Sequence, residues 1–449
     1  MMKTDCAKKI LDCIYFIRGE KVWNFLKEID QYQWLDSSSL KELQWEKLKN
    51  TLSFAYNNIP YYHKVWRNVG IRPNDIESLD SFQKIPILTK EDIRNNWDLL
   101  RLENKNIRTS FRQTSGSTGI PLKIEKDRNT TAYMDAVMYR SYMWYGIQPG
   151  ERQLRIWGAE INPTERFKMH LKDFLLNRIR LSAFDLDRKN FLKFVGKIKT
   201  FKPTFIYGYA QSVFEFAKFI VNEKMDLSHL NFKAVIATGE MIFDWQRKII
   251  KQAFGCPVVN EYGCTEVGII AIECPMGGMH IMSDALFVEF IKNDRASNLK
   301  EREIVVTELN NFYSPLIRYK VGDKGILSNS LCPCGRGFPL MASIKGRCDE
   351  FIMFPNGKKV DPYVFEYIIK NIPSRYGTIQ QFLIIQESIS CLNLKLVCDT
   401  SCPQKLVKAL NNSWVRLYGN DLSLKIELVY NVPKNASGKL ACFKSFLKK

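Results

Sequence analysis

Three short, largely apolar runs, Leu154–Trp157, Phe205–Tyr207 and Ala234–Ala237, constrain the fold more than any other feature, because amphipathic stretches separate them. A strand covered on both faces reads as a near-continuous apolar run, and a helix-length connection lets successive strands lie parallel. From about residue 111 the order is therefore that of α/β units around a sheet with packed helices. Residues 1–110 look helical instead. There Ser37-Ser38-Ser39 are expected to cap a helix running to about Ala55, and Ile59-Pro60 and Ile85-Pro86 break the pattern. Thr89 is the expected cap of a further helix, with Asp92 three residues on.

At 449 residues the chain exceeds one typical core, so two domains are expected. The character changes after Gly346-Arg347. Pro355-Asn356-Gly357 is a hairpin turn signal, followed by a helix near 362–371, strands near 380–386 and 392–398, a helix near 403–417 and a strand near 423–430. The expected division is a large domain over 1–347, with 1–110 as a helical lead-in, and a small α+β domain over 348–449.

The net charge is +19, from 66 Lys and Arg against 47 Asp and Glu. That balance suits anionic small molecules or a membrane surface. The basic residues are scattered and no nucleic-acid motif interleaves them, so nucleic acid is not an expected partner, while loose membrane association stays open. The start, Met1–Gly19, is basic, but its apolar run Ile10–Ile17 is interrupted by Asp12 and reads as a surface helix, not a signal peptide. No uncharged apolar run approaches the roughly eighteen residues of a membrane span, and a cytoplasmic location is expected. Twelve cysteines in such a chain point to reduced thiols or metal ligands.

Gln113-Thr114-Ser115-Gly116-Ser117-Thr118-Gly119-Ile120-Pro121 is the segment richest in chemistry. Its glycines let the backbone approach an anion, and its amides and hydroxyls supply donors without bulk. It lacks the Walker pattern, and taken alone it is also the composition of a solvated loop. Three later segments add what a nucleotide site needs. Glu261-Tyr262-Gly263-Cys264-Thr265-Glu266 is expected at a strand end, with an aromatic ring able to stack on a base and a carboxylate able to hold Mg²⁺. Arg318-Tyr319-Lys320-Val321-Gly322-Asp323 offers a carboxylate for vicinal ribose hydroxyls, again at an expected strand end. Pro433-Lys434-Asn435-Ala436-Ser437-Gly438-Lys439 is a loop ending in lysine. A turn or a solvated lysine accounts for each of these in isolation. His63, His170 and His229 form no dyad with a Ser or Cys motif, and Ser115 lacks a G-x-S-x-G context, which excludes the usual hydrolase chemistry.

Together these segments resemble the adenylate-forming superfamily of acyl-CoA synthetases, adenylation domains and luciferases, and within it the phenylacetate–CoA ligase and CapK-like branch. The branch-level likeness lies in Ala55-Tyr56-Asn57-Asn58-Ile59-Pro60-Tyr61-Tyr62, Gly70-Ile71-Arg72-Pro73, Ile85-Pro86-Ile87-Leu88-Thr89-Lys90, Thr238-Gly239-Glu240, Pro315-Leu316-Ile317-Arg318-Tyr319 and Gly346-Arg347-Cys348-Asp349-Glu350. The resemblance implies that Thr114, Ser115, Gly116, Ser117, Thr118 and Gly119 hold the ATP β- and γ-phosphates. It implies Tyr262 along the adenine, Gly239, Glu240 and Gly263 among the cofactor-binding residues, Thr265 and Glu266 at the α-phosphate and Mg²⁺, and Asp323 on the ribose with Arg347 nearby. Asp349 would be the hinge, and Lys439 would enter the site for adenylation only. The implied activity is ATP-dependent conversion of a carboxylic acid to an acyl-adenylate, then transfer to an anionic acceptor such as coenzyme A. Acyl or AMP transfer to a sugar or amine in surface polysaccharide assembly, and a non-catalytic relative, are the alternatives. Two departures stand out: Leu122 intervenes before Lys123 where many relatives have lysine after the proline, so Lys123 has no assigned role, and Asp349-Glu350 replaces two aspartates.

Cys274, His280, Cys332 and Cys334 give three thiols and one imidazole, a set that can complete a tetrahedral structural zinc site. Their spacings are not those of standard fingers, and four unrelated turn residues would give the same pattern, but some members of the resembled branch carry such a cluster. Tyr207-Gly208-Tyr209-Ala210 would line the acyl pocket, or simply pack in a core.

Overall fold

Asp36, not the serines after it, starts the long helix of the lead-in: its carboxylate accepts from the backbone N–H groups of Ser38 and Ser39 at 2.8 and 2.9 Å. The computed structural model describes residues 2–103, 106–113, 122–158, 163–184, 186–292, 301–347, 352–360, 362, 364–433 and 442–447. The lead-in comprises α1 (Thr4–Arg18), α2 (Val22–Asp30), α3 (Ser37–Asn58), α4 (Pro60–Asn68), α5 (Leu79–Phe82) and α6 (Lys90–Asn95). Pro60 separates α3 from α4 and sits in the first turn of α4, where a missing N–H costs nothing. Thr89 and Asp92 form the expected reciprocal cap of α6, the Thr89 N–H donating to Asp92 at 2.8 Å and the Asp92 N–H to the Thr89 hydroxyl at 3.1 Å.

The middle of the chain runs β1 (Thr109–Gln113), β2 (Lys123–Asp127), α7 (Arg128–Met143), β3 (Gln153–Ile156), α8 (Pro163–Leu175), β4 (Arg178–Leu181), α9 (Arg188–Phe201), β5 (Phe205–Tyr209), α10 (Ala210–Asn222), β6 (Val235–Thr238), α11 (Asp244–Phe254) and β7 (Val258–Cys264). Six antiparallel strands follow: β8 (Gly268–Glu273), β9 (Met279–Ile281), β10 (Leu286–Lys292), β11 (Arg302–Glu308), β12 (Tyr319–Ser328) and β13 (Leu340–Arg347). Strands β3 to β13 form one sheet in the order β10-β11-β12-β13-β9-β8-β7-β6-β5-β3-β4. Pairing is parallel from β4 to β7 and antiparallel beyond.

Alternate residues of β5 and β6 enter two cores, which is why these runs are largely apolar. Leu154, Ile156, Ile206, Val235 and Val258 pack with residues of α9, α10 and α11. Phe205, Ala234, Ile236 and Val259 pack on the other face with residues of α1, α2 and α7. A third core joins α3 and α4 to the antiparallel strands through Leu52, Trp66, Ile304 and Tyr319.

The last unit comprises β14 (Ile352–Met353), β15 (Lys359–Val360), α12 (Val364–Lys370), β16 (Thr378–Ser388), β17 (Cys391–Asp399), α13 (Pro403–Tyr418), β18 (Ser423–Leu428) and β19 (Phe443–Ser445). Its own four-stranded sheet has the order β18-β17-β16-β19. Trp414 anchors its core, with Phe365 and Phe354 stacked at 5.1 and 5.9 Å and its indole N–H donating to the Leu422 carbonyl at 2.9 Å. The unit meets the larger body at α10 and the start of α11: Phe382 lies 6.2 Å from Phe243, and the Gln381 amide donates to Glu215 at 2.6 Å. Among the described residues no helix is long and apolar enough to cross a membrane.

Candidate active site

The carboxyl ends of β3, β5, β6 and β7, parallel neighbours, all lie at one end of the sheet, outside which open α/β sheets hold their ligand crevice. Strand β7 ends at Cys264, inside the Glu261–Glu266 segment as expected; it pairs in parallel with β6 as far as Glu261 and antiparallel with β8 from there to Cys264, which puts Tyr262 and Gly263 close to its end. Gly263 is required there, because a side chain would strike the Gly268 carbonyl across the pair. One correction to the sequence reading concerns Asp323, which lies within β12 and not at its end, at a bulge between Asp323 and Lys324, and pairs in register with Arg347. The Tyr262 hydroxyl donates to Asp323 at 2.9 Å, so a flat aromatic surface and a carboxylate share one wall.

Beyond β7 the chain turns, leaving Thr265 exposed and Glu266 buried. Glu266 accepts from the Tyr319 hydroxyl at 2.8 Å, and the Lys90 ammonium lies 3.8 Å from the same oxygen. Lys90 arrives because Leu88 joins β12 as an isolated parallel bridge: its N–H donates to the Arg318 carbonyl and its carbonyl accepts from Lys320, both at 2.9 Å. Arg318, in left-handed conformation at φ 50°, is buried and clamps Glu289 with two bonds of 3.0 Å while also donating to the Ile85 carbonyl at 2.5 Å. Tyr62 holds the same strand entrance, its hydroxyl donating to Pro315 at 2.7 Å and accepting from the Ile317 N–H at 3.1 Å.

Residues 114–121, which include Thr114, Ser115, Gly116, Ser117, Thr118 and Gly119, lie outside the described residues, as do Asp349 and Lys439. The stems of the hydroxyl-rich loop are described, and Gln113 pairs with Lys123 in the β1–β2 hairpin. Leu122 is buried beside Ile124 in the core and Lys123 is exposed. Alternation along the strand therefore places an apolar residue at position 122, which accounts for the departure from the lysine-after-proline pattern. The hairpin is pinned to the body by the buried Lys126–Glu308 pair at 2.5 Å.

At the carboxyl ends of β3 and β5, Trp157 stacks on Tyr209 with ring centroids 3.9 Å apart and on Tyr207 at 5.5 Å. The Arg155 guanidinium lies 4.9 Å from both the Trp157 and Tyr207 rings. Beneath them Glu261 accepts from Tyr142 at 2.8 Å, and burial raises its carboxyl above the usual range. Gly239, at φ 75°, turns the chain after β6, and Glu240 accepts from the Gln211 N–H at the start of α10 at 3.0 Å. The Glu240 carboxylate thus faces a helix N-terminus.

Cys274, His280, Cys332 and Cys334 come together at the other end of β8 and β9, their four ligand atoms all within 4.8 Å of one another. Cys274 Sγ lies 3.5 Å from Cys332 Sγ, and Cys334 Sγ 3.2 Å from His280 Nε2. His280 Nδ1 is 3.0 Å from the Phe338 carbonyl; as the donor it leaves Nε2 unprotonated and aimed at the thiols. Backbone at Gly278 passes so close that an added Cβ would sit 2.6 Å from Cys332 Sγ.

Residues 352–445 match the CapK C-terminal domain family. Protein CapK of Staphylococcus aureus is 23% identical over 432 residues, covering 94% of this chain and 93% of that protein. The phenylacetate–coenzyme A ligase of Thermus thermophilus is 26% identical over 354 residues, covering 76% of this chain and 77% of its own. This chain is a homologue of CapK and of the phenylacetate–coenzyme A ligases. Its fold is that of the adenylate-forming ligases: the 2-hydroxyisobutyryl-CoA ligase in its postadenylation state superposes with a TM-score of 0.74 at 19% identity, over 92% of this chain and 91% of that one.

Of the residues singled out from sequence, Tyr262 and Asp323 touch, Glu266 is tied through Tyr319 to β12, the strand that carries Asp323, and the four metal-ligand candidates cluster. Lys90, Tyr319, Arg318 and Tyr62 received no role from sequence although they lie in the segments that carried the resemblance. Their contacts with β12 and Glu266 are their part in the site.

Proposed function

We propose that the protein activates a carboxylic acid with ATP to an acyl-adenylate and then passes the acyl group to coenzyme A. The observation that carries this reading is the Tyr262–Asp323 pair beside the buried Glu266, within a fold matched over almost its whole length by adenylate-forming ligases. The homologous phenylacetate–coenzyme A ligases support the same chemistry and the use of ATP and coenzyme A.

In this reading the adenosine lies against Tyr262, with Asp323 accepting from the ribose hydroxyls and the hydroxyl-rich loop at 114–119 around the β- and γ-phosphates. A substrate carboxylate oxygen bonds to the α-phosphorus, the bond to the β-phosphate oxygen breaks, and pyrophosphate leaves. The coenzyme A thiolate then bonds to the acyl carbon, the carbon–oxygen bond to AMP breaks, and AMP departs. Both partners of the first step are anions, so Lys439 would act by offsetting charge, worth about 3 kcal/mol or roughly a hundredfold in rate. Glu266 offers a hard oxygen suited to Mg²⁺, which would neutralise phosphate charge when bound. Lys90, its ammonium 3.8 Å from Glu266, orients that carboxylate from the α6 side. Trp157, Tyr207 and Tyr209 line the acid side of the crevice. Asp349 would be the hinge between a body over 1–347 and a mobile unit over 348–449.

The Cys274, His280, Cys332 and Cys334 set fits a tetrahedral zinc in donor chemistry and spacing, and all four ligands come from protein, so its role would be structural. A second reading is acyl or AMP transfer to another acceptor, such as a sugar or an amine. Pyrophosphate release with hydroxylamine trapping, across aryl, fatty and amino acids with and without coenzyme A, tests both. Acid-dependent release whose trapped product disappears on adding coenzyme A supports the ligase; release indifferent to coenzyme A supports the other acceptor; no release with any acid refutes activation of those acids.

A further inference from the structure

Helix α8 presents Phe167, Leu171 and Phe174 to solvent, 72%, 52% and 66% exposed, at the i, i+4, i+7 spacing that lines one side of a helix. The opposite side holds the buried Asp173, which pairs with Arg178 and Arg180 of β4 and fixes which way the helix faces. Exposed Arg166, Lys168 and Lys172 flank the apolar stripe. Helix α1 repeats the arrangement beside it: Ala7, Leu11 and Tyr15 are buried, while Phe16 and Ile17 are 86% and 74% exposed with Lys9 and Arg18 near them. Ile14, Ile17 and Arg18 of α1 and Lys168, Leu171 and Lys172 of α8 line a single cavity of about 610 Å³, so the two helices lie side by side and the exposed Ile17 and Leu171 both border it. This is the pattern of helices lying in a bilayer interface, with aromatic and aliphatic side chains below the headgroups and lysines and arginines among them.

We propose that the α1–α8 face docks on an anionic phospholipid surface. Charge complementarity selects this occupant. A second copy related by two-fold symmetry would bring Arg166, Lys168 and Lys172 against their own kind, whereas phosphatidylglycerol headgroups neutralise them. The net charge of +19 adds long-range attraction of the same sign. The inference goes beyond ligase activity and does not rest on it, because none of these side chains belongs to the crevice described above.

The test is co-sedimentation of the full chain with vesicles of phosphatidylcholine alone and of phosphatidylcholine mixed with phosphatidylglycerol. The protein is expected to pellet with the mixed vesicles at least about tenfold more strongly than with the neutral ones, and less at high salt. The Phe167→Ser/Leu171→Ser/Phe174→Ser variant and the Lys168→Glu/Lys172→Glu variant should each lose at least about tenfold of that binding. Phe16→Ser/Ile17→Ser, on the neighbouring helix, gives the same readout independently of α8, and matching thermal melts establish that each variant is folded. Equal binding by wild type and the folded variants would overturn the proposal, as would failure of the wild type to pellet with anionic vesicles. A wild-type dimer that the apolar variant converts to a monomer would also overturn it, by assigning the face to a second copy.

Discussion

Replacing Cys332 by serine tests the metal reading through quantities the structure fixes. Tetrahedral zinc with Zn–S near 2.3 Å and Zn–N near 2.05 Å requires sulfurs about 3.8 Å apart and a sulfur–nitrogen separation of about 3.6 Å. The corresponding close pairs here lie at 3.5 and 3.2 Å, with every ligand atom within 4.8 Å of the rest, so the close pairs open by a few tenths of an ångström and the widest separation closes by up to about 1 Å to complete the site. The set ties the β8–β9 turn to the segment between β12 and β13. Zinc held at a thousandfold above its dissociation constant would stabilise the fold by about 4 kcal/mol. Spread over a chain of 449 residues, that is a melting-temperature change on the order of 5 °C. Metal analysis should therefore give close to one zinc per wild-type chain and close to none for Cys332→Ser, with the variant melting where chelator-treated wild type melts. Gly278→Ala is a second probe, because its new methyl would meet Cys332 Sγ at 2.6 Å and displace a ligand without deleting it. Metal retained by Cys332→Ser, or a wild-type melt unmoved by stripping and refilling, would refute the reasoning.

Asp323→Ala removes the carboxylate that Tyr262 holds at 2.9 Å; kcat/KM for ATP should fall roughly 10- to 100-fold, the 1.5–3 kcal/mol of charged hydrogen bonds, with folding intact by circular dichroism. Lys439→Ala should slow pyrophosphate release about a hundredfold while leaving thioester formation from supplied acyl-adenylate unchanged, and equal loss of both half-reactions would contradict a lysine used only once. Arg318→Met leaves Glu289 buried without its two bonds of 3.0 Å and should cost about 3–5 kcal/mol in denaturant unfolding, more than Glu289→Gln/Arg318→Met together.

Within the parallel half of the sheet, β5 and β6 were legible because they are buried on both faces, whereas β4, at the sheet edge with Arg178 and Arg180 in its four residues, left no apolar run. The C-terminal elements were legible for a different reason: Asn356-Gly357 and the alternating strands around it are local signals, and β16, β17, α13 and β18 fall within a few residues of the expected bounds. Local signals also mislead. Three serines suggested the cap of α3, but the carboxylate one residue earlier reaches the same amides. Asp323 looked like a strand-end residue beside Gly322, yet that glycine holds a positive φ of 93° within the continuing β12.

What sequence does not carry is the pairing of distant segments, and this decides how Glu266 is held. Its neighbours Tyr319 and Lys90 lie 53 and 176 positions away, and they meet it only because Leu88 adds itself to the start of β12. Arg318 makes that addition stable by donating to the carbonyl of Ile85 while its left-handed backbone turns the chain into the strand. The Ile85–Lys90 and Pro315–Tyr319 segments carry no reactive group of their own that spacing could flag. Their work is to set the direction of one carboxylate at the crevice, so a substitution among them should change catalysis through Glu266 before it touches any residue that contacts substrate.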